Sequence, residues 1–196
     1  MIGYIIFSVL AIFALAYYFA FENFCYKAAK TIAEGLGGSA VFRLGRSYMR
    51  RYYDGVEERV WVAPKDQRAL VDTDFTAWFP SPGKLFLQRK RDPGFRFDIE
   101  PKTGILSRTL SLGALKEAVF HVPQLDETLR LRTNNSAEAA RYFSDSEKQK
   151  ALIALFHAGF KSLKGDGSII AAMHGVSEKD INADSIGRYL QYLRSI

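Results

Sequence analysis

The chain has 196 residues, with 27 Lys and Arg against 21 Asp and Glu for a net charge of +6. Beyond an apolar N-terminal stretch and its flank, roughly 150 residues remain, enough for one compact domain but not for two full cores. The only cysteine, Cys25, excludes an intramolecular disulfide and a cysteine-based zinc site. The positive charge is compatible with anionic lipid or nucleic acid and selects neither.

From Ile2 to Phe21 no side chain is charged. At 1.5 Å per residue this run spans about 30 Å, the thickness of a hydrocarbon core. Aromatic residues mark its ends, Tyr4 at one and Tyr17, Tyr18, Phe19, Phe21, Phe24 and Tyr26 at and just past the other, as amphipathic rings favour the headgroup boundary. A cleaved signal peptide with a site at Ala14-Leu15-Ala16 is the rival reading, but no Lys or Arg precedes the run. Lys27 and Lys30 follow it, with Arg43, Arg46, Arg50 and Arg51 further on. By the positive-inside rule the expectation is an uncleaved single-pass anchor with its soluble part in the cytoplasm. Cys25 at the edge of the span is a candidate for reversible palmitoylation, although an unmodified interfacial residue explains it as well.

The anchor helix is expected to continue through Ala28, Ala29, Ile32 and Ala33 and to stop at Gly35, Gly37 and Gly38, a cap and flexible joint. Ser39 then caps a predicted second helix. At 100° per residue Val41, Phe42, Leu44, Tyr48, Met49, Tyr52 and Tyr53 share one arc, and Arg43, Arg46 and Arg50 lie opposite. This basic amphipathic segment reads either as a helix in the membrane interface or as a first core helix with solvated arginines. In the interfacial reading the rings of Tyr48 and Tyr52 turn down toward the bilayer while Arg43, Arg46, Arg50 and Arg51 reach anionic headgroups. No nucleic-acid-binding motif accompanies it, so nucleic acid is disfavoured as a partner.

Asp54-Gly55 is a turn signal, and Glu57 to Ala63 reads as a strand ended by Pro64. Lys84 to Arg91 and Phe95 to Ile99 alternate around Asp92-Pro93-Gly94 and are expected to pair as a hairpin. Lys102-Thr103-Gly104 is another turn. Extended candidates follow at Ile105 to Leu110, Ala118 to Val122 and Thr128 to Thr133, giving an antiparallel sheet of five or six strands. The Trp78-Phe79 pair, before the loop marked by Pro80, Ser81, Pro82 and Gly83, is core or a partner patch. Asn135 or Ser136 then caps a helix to Phe143, and Ser146 one from Glu147 to Leu163, whose stripe includes Leu155, Gly159 and Phe160. A strand at Ser168 to Met173 follows the turn Gly165-Asp166-Gly167, and a last helix covers Ala183 to Arg194. The predicted fold is α+β: an N-terminal transmembrane helix, then one soluble domain with an antiparallel sheet and C-terminal helices. The divisions are an anchor at 1–26, juxtamembrane helices at 27–54 and the soluble domain at 55–196.

The chemistry-bearing residues form no motif. His121, His157 and His174 share no metal-ligand spacing, and Lys164 to Ser168 lacks phosphate-loop context because a strand follows it. Among close carboxylates, Glu57 and Glu58 are adjacent, while Asp72 with Asp74 and Asp98 with Glu100 would each share a strand face, exposed and solvated. No catalytic residue, metal or cofactor is assigned. The leading expectation is a non-enzymatic, membrane-anchored adaptor that binds lipid and a protein partner. Two alternatives stand beside it: an enzyme with His121, His174 and carboxylates such as Asp98 gathered by folding, and a periplasm-facing component of an envelope complex.

Overall fold

A computed structural model of the chain describes residues 2–43, 46–64, 82–102 and 115–196. The first element, α1 (Ile2–Leu36), is one helix of 35 residues, about 52 Å long. Its two halves have different surroundings. Large apolar side chains from Tyr4 to Phe19 stand exposed, Tyr4 at 82% and Phe13 at 62%. Past Phe21 the residues Glu22, Cys25, Ala29, Ile32 and Ala33 are buried. Their spacing of three and four keeps them on one helical face, which packs on the first three strands and the last helix.

Where a flexible joint was expected, the glycines serve packing and capping. Gly37 has φ +69° and the Gly38 amide donates to the Ala33 carbonyl at 3.0 Å, the left-handed stop that glycine makes without steric cost. At Gly35 an added Cβ would lie 2.3 Å from that of Ala183. The helix and the domain are therefore in direct contact up to its last turn.

The segment after the cap is extended, which corrects the expected basic amphipathic helix. β1 (Ser39–Val41) pairs antiparallel with β2 (Tyr48–Tyr53), and β2 pairs with β3 (Val56–Pro64) across Asp54-Gly55. Both turn residues have positive φ, 49° and 73°, the geometry that two-residue hairpin loops favour and Asp-Gly supplies. The period of β2 is two, so Arg50 shares a face with Tyr48 and Tyr52, and Arg51 faces the other way with Met49 and Tyr53. Aromatic content suits a strand, and the Asp54-Gly55 turn fixes its register.

Nine strands form one antiparallel sheet among the described residues, in the order β1-β2-β3-β4-β9-β8-β5-β7-β6. The remaining strands are β4 (Pro82–Arg89), β5 (Phe97–Pro101), β6 (Lys116–Ala118), β7 (Leu129–Thr133), β8 (Phe160–Gly165) and β9 (Ile169–His174). The expected hairpin of β4 with β5 does not form. Instead the β8–β9 hairpin inserts between them, with β9 on β4 and β8 on β5. Gly165 is a strand residue here: it pairs with Phe97, whose ring occupies the space a Cβ would need, at 2.2 Å.

The helices are α2 (Pro123–Thr128), α3 (Ser136–Phe143), α4 (Ser146–His157) and α5 (Ala183–Ser195). Asn135, Asp145 and Asn182 cap α3, α4 and α5 through their side-chain oxygens. α4 ends six residues earlier than its apolar pattern suggests, because Gly159 at φ +101° breaks the helix and Phe160 and Leu163 enter β8. Val60, Leu85, Leu87, Ile99, Leu131, Leu163 and Ala171 are buried with Phe143, Leu155, Ile186, Leu190 and Leu193 in one core between sheet and helices. The expectations for Asp72, Asp74, Trp78, Phe79, Ser81 and Ile105 to Leu110 lie outside the described residues.

Candidate functional site

The registers sort the strand ends into two rims. Val41 opposes Tyr48, Pro64 opposes Pro82, Lys84 opposes His174, Phe160 opposes Met173 and Pro101 opposes Leu129. One rim therefore holds the turn after β1, the ends of β3, β9 and β5 and the starts of β4, β8 and β7. It begins beside α1, where the Phe42 and Tyr26 rings meet edge to face at 5.8 Å. The other rim lies at the Leu36 end of α1, where Arg51 donates to the Leu36 carbonyl at 3.3 Å.

At the first rim the turn is closed by the Arg46 amide donating to the Arg43 carbonyl at 3.0 Å. Arg43 and Arg46 are exposed, Arg46 with its guanidinium 5.2 Å from the Trp61 ring centre. Phe42 is 58% exposed. Of the six expected interface residues, then, Arg43 and Arg46 stand here exposed, and Tyr48 opens β2 at the same rim but is buried. Arg50, Tyr48 and Tyr52 lie on the sheet face opposite the helices, with the Tyr48 ring under the Arg59 guanidinium at 4.9 Å. Arg51 points into the domain. Cys25, the candidate lipidation site, is 4% exposed, on the stripe that faces the sheet.

Further along the same rim, between α2, α4 and β8, a cleft of about 410 Å³ falls within the range of ligand sites. Leu129, Ile153, Phe156 and Phe160 supply apolar lining, and Lys102, His157, Lys161 and Glu127 its charged or titratable groups. The Lys102 ammonium donates to the Asp126 carbonyl near the end of α2. Nearby, His121 has φ +59°. The Asp126 carboxylate accepts from the amides on both sides of it, Phe120 at 2.7 Å and Val122 at 3.0 Å, which accounts for that backbone. His157 is the histidine that lines the cleft, with Glu127 as its carboxylate; His121 and His174 lie outside it. No group of three metal-ligating side chains occurs among the described residues.

At the opposite rim Glu58 is fully buried. It accepts from Arg194 at 2.7 and 2.9 Å and from Arg51 at 2.9 Å. Arg89 donates to the Arg194 carbonyl at 2.8 Å, and the Arg194 guanidinium lies 3.5 Å from the Tyr53 ring centre. Burial pushes the Glu58 carboxyl up, but the hydrogen bonds and charges of Arg194 and Arg51 outweigh it and leave the group below its ordinary value. Asp98 and Glu100, expected to be solvated, are half-buried and paired, Asp98 with Lys164 at 3.5 Å and Glu100 with Arg132 and Arg130.

Sequence reasoning missed both the cleft and the Glu58 cluster. One signal for the cluster was present: in a strand with Val60 and Val62 facing inward, Glu58 must face inward too. The cleft has no comparable signal, since its lining comes from five separate elements and the residues between them. Comparison with family models, curated proteins and solved structures finds no match to this chain. Among the described residues, one helix is long and apolar enough to cross a membrane.

Proposed function

We propose that this chain is a membrane-anchored, non-enzymatic binding module with its α+β domain on the cytoplasmic side. The observation that carries the reading is α1 itself: an exposed apolar half of membrane-spanning length runs without a break into a half packed on the sheet. Lys27 and Lys30 on the C-terminal side of the span support the orientation. The binding role draws on the cleft, whose apolar floor and Lys102, Lys161 and His157 complement a partner-protein segment that mixes acidic and apolar side chains. The non-enzymatic reading is supported by Glu58, Asp98 and Glu100, each engaged by arginine or lysine.

A reporter fused after Ile196 tests the orientation: activity of a cytoplasm-dependent reporter and silence of an export-dependent one are expected, and the reverse result places the domain outside. For the partner, a photo-crosslinker at Lys161 in intact membranes should give a discrete protein adduct that is absent when the crosslinker sits at Tyr52. Equal labelling from both positions would remove the cleft from the binding role.

A further inference from the structure

We infer that the turn after β1 is a second membrane contact, in which Phe42, Arg43 and Arg46 engage anionic phospholipid headgroups beside the anchor. The inference rests on α1 being the membrane anchor and adds a docked posture for the domain. Height along α1 decides it. Tyr26 lies five residues past Phe21, the last of the uncharged run, or about 8 Å along the helix axis. The headgroup layer outside a hydrocarbon core of about 30 Å is about 5–8 Å thick on each side. With Phe21 at the hydrocarbon boundary and α1 along the bilayer normal, Tyr26 stands at the outer headgroup level, and the Phe42 ring contacts its ring at 5.8 Å.

The chemistry at that height suits the location. Phe42 is 58% exposed, one of few large apolar side chains outside α1 left open among the described residues, and an aromatic ring is favoured at the membrane boundary. Arg43 and Arg46 are exposed beside it, and Lys27 is exposed on α1 one residue after Tyr26. Neither arginine forms an ion pair among the described residues, so both keep guanidinium donors for phosphate, Arg46 while its guanidinium lies 5.2 Å from the Trp61 ring centre. This part of the rim adjoins α1, and the contact of the Phe42 ring with Tyr26 fixes it beside the helix. The contact between α1 and the domain up to Gly35 and Ala183 keeps it there.

The test uses the full chain in vesicles of phosphatidylcholine with or without phosphatidylglycerol. Spin labels are placed singly at Phe13, Phe42 and Tyr52 in a Cys25→Ala background, and accessibility to oxygen and to an aqueous nickel chelate is compared. The expected result is a lipid signature at Phe13, an aqueous one at Tyr52 and a headgroup-depth signature at Phe42. Loss of phosphatidylglycerol, or Arg43→Gln with Arg46→Gln, should shift Phe42 toward water, changing the docked-to-undocked ratio by roughly thirtyfold. An aqueous Phe42 with a lipidic Phe13 overturns the second contact and leaves the anchor standing. An aqueous Phe13 overturns the anchor itself, and a headgroup-depth Phe42 indifferent to lipid charge overturns the role of the arginines. Crosslinking of the unsubstituted chain by a photoactivatable phosphatidylglycerol, mapped to the peptide around Phe42, gives the same reading without relying on a folded Cys25→Ala variant; adducts only within α1 count against it.

Discussion

Glu58 shows how one residue joins distant parts of the chain. Its carboxylate links Arg51 on β2 and Arg194 on α5, 136 positions away. Because its folded-state value lies below the ordinary one, the stabilisation it gives is present above about pH 4.3 and is lost as pH falls through the folded value. The stability difference between wild type and Glu58→Gln should thus be largest near neutrality and shrink below about pH 4.3, as read by thermal melts across pH. Arg194→Leu should cost about 3 kcal/mol by leaving a buried carboxylate short of a partner, and Glu58→Leu with Arg194→Leu should cost less than the sum of the two single changes. An additive double-mutant cycle would mean that the pair is not coupled. Glu57, one residue earlier, lies on the other face with Arg59 and Lys90. Adjacency in sequence therefore said nothing of their different fates, whereas strand alternation did.

Elements here are decided by their ends. The capping residue Asn135 is a local signal that placed α3, whereas the Asp54-Gly55 turn was legible without showing that an extended segment precedes it. The segment around Tyr48 to Tyr53 and the one around Phe160 to Leu163 each fitted a helical wheel as well as a strand, since a short apolar run satisfies both periods. Gly159 resolves the second case. Gly35→Leu should destabilise the domain by about 1–3 kcal/mol despite the better helix propensity of leucine, because the first side-chain atom already meets Ala183. Gly165→Ala should do the same by displacing the Phe97 ring from its place beside Phe95 and Phe143. Denaturant melts measure both, and unchanged midpoints would show that the neighbouring elements yield freely.

At the scale of the molecule, insertion of β8–β9 between β4 and β5 makes the sheet depend on pairings far apart in sequence. Such topology closes late, because loop entropy is lost before the contacts form. A Gly165→Val variant should slow refolding more than a change of similar stability cost at Gly35 if β8 pairs with β5 in the folding transition state; equal effects would place that pairing after the barrier. The sequence by itself determined the apolar span, the α+β class, the alternation of most strands and the last helix. Each of these is written in windows of some ten to twenty residues through composition, period, turn chemistry and caps. Tertiary structure alone decided the strand order, the extended form of β1 and β2, the burial of Glu58 and the cleft between α2 and α4. These depend on which apolar faces and charges meet across distant parts of the chain, and no local pattern encodes that choice.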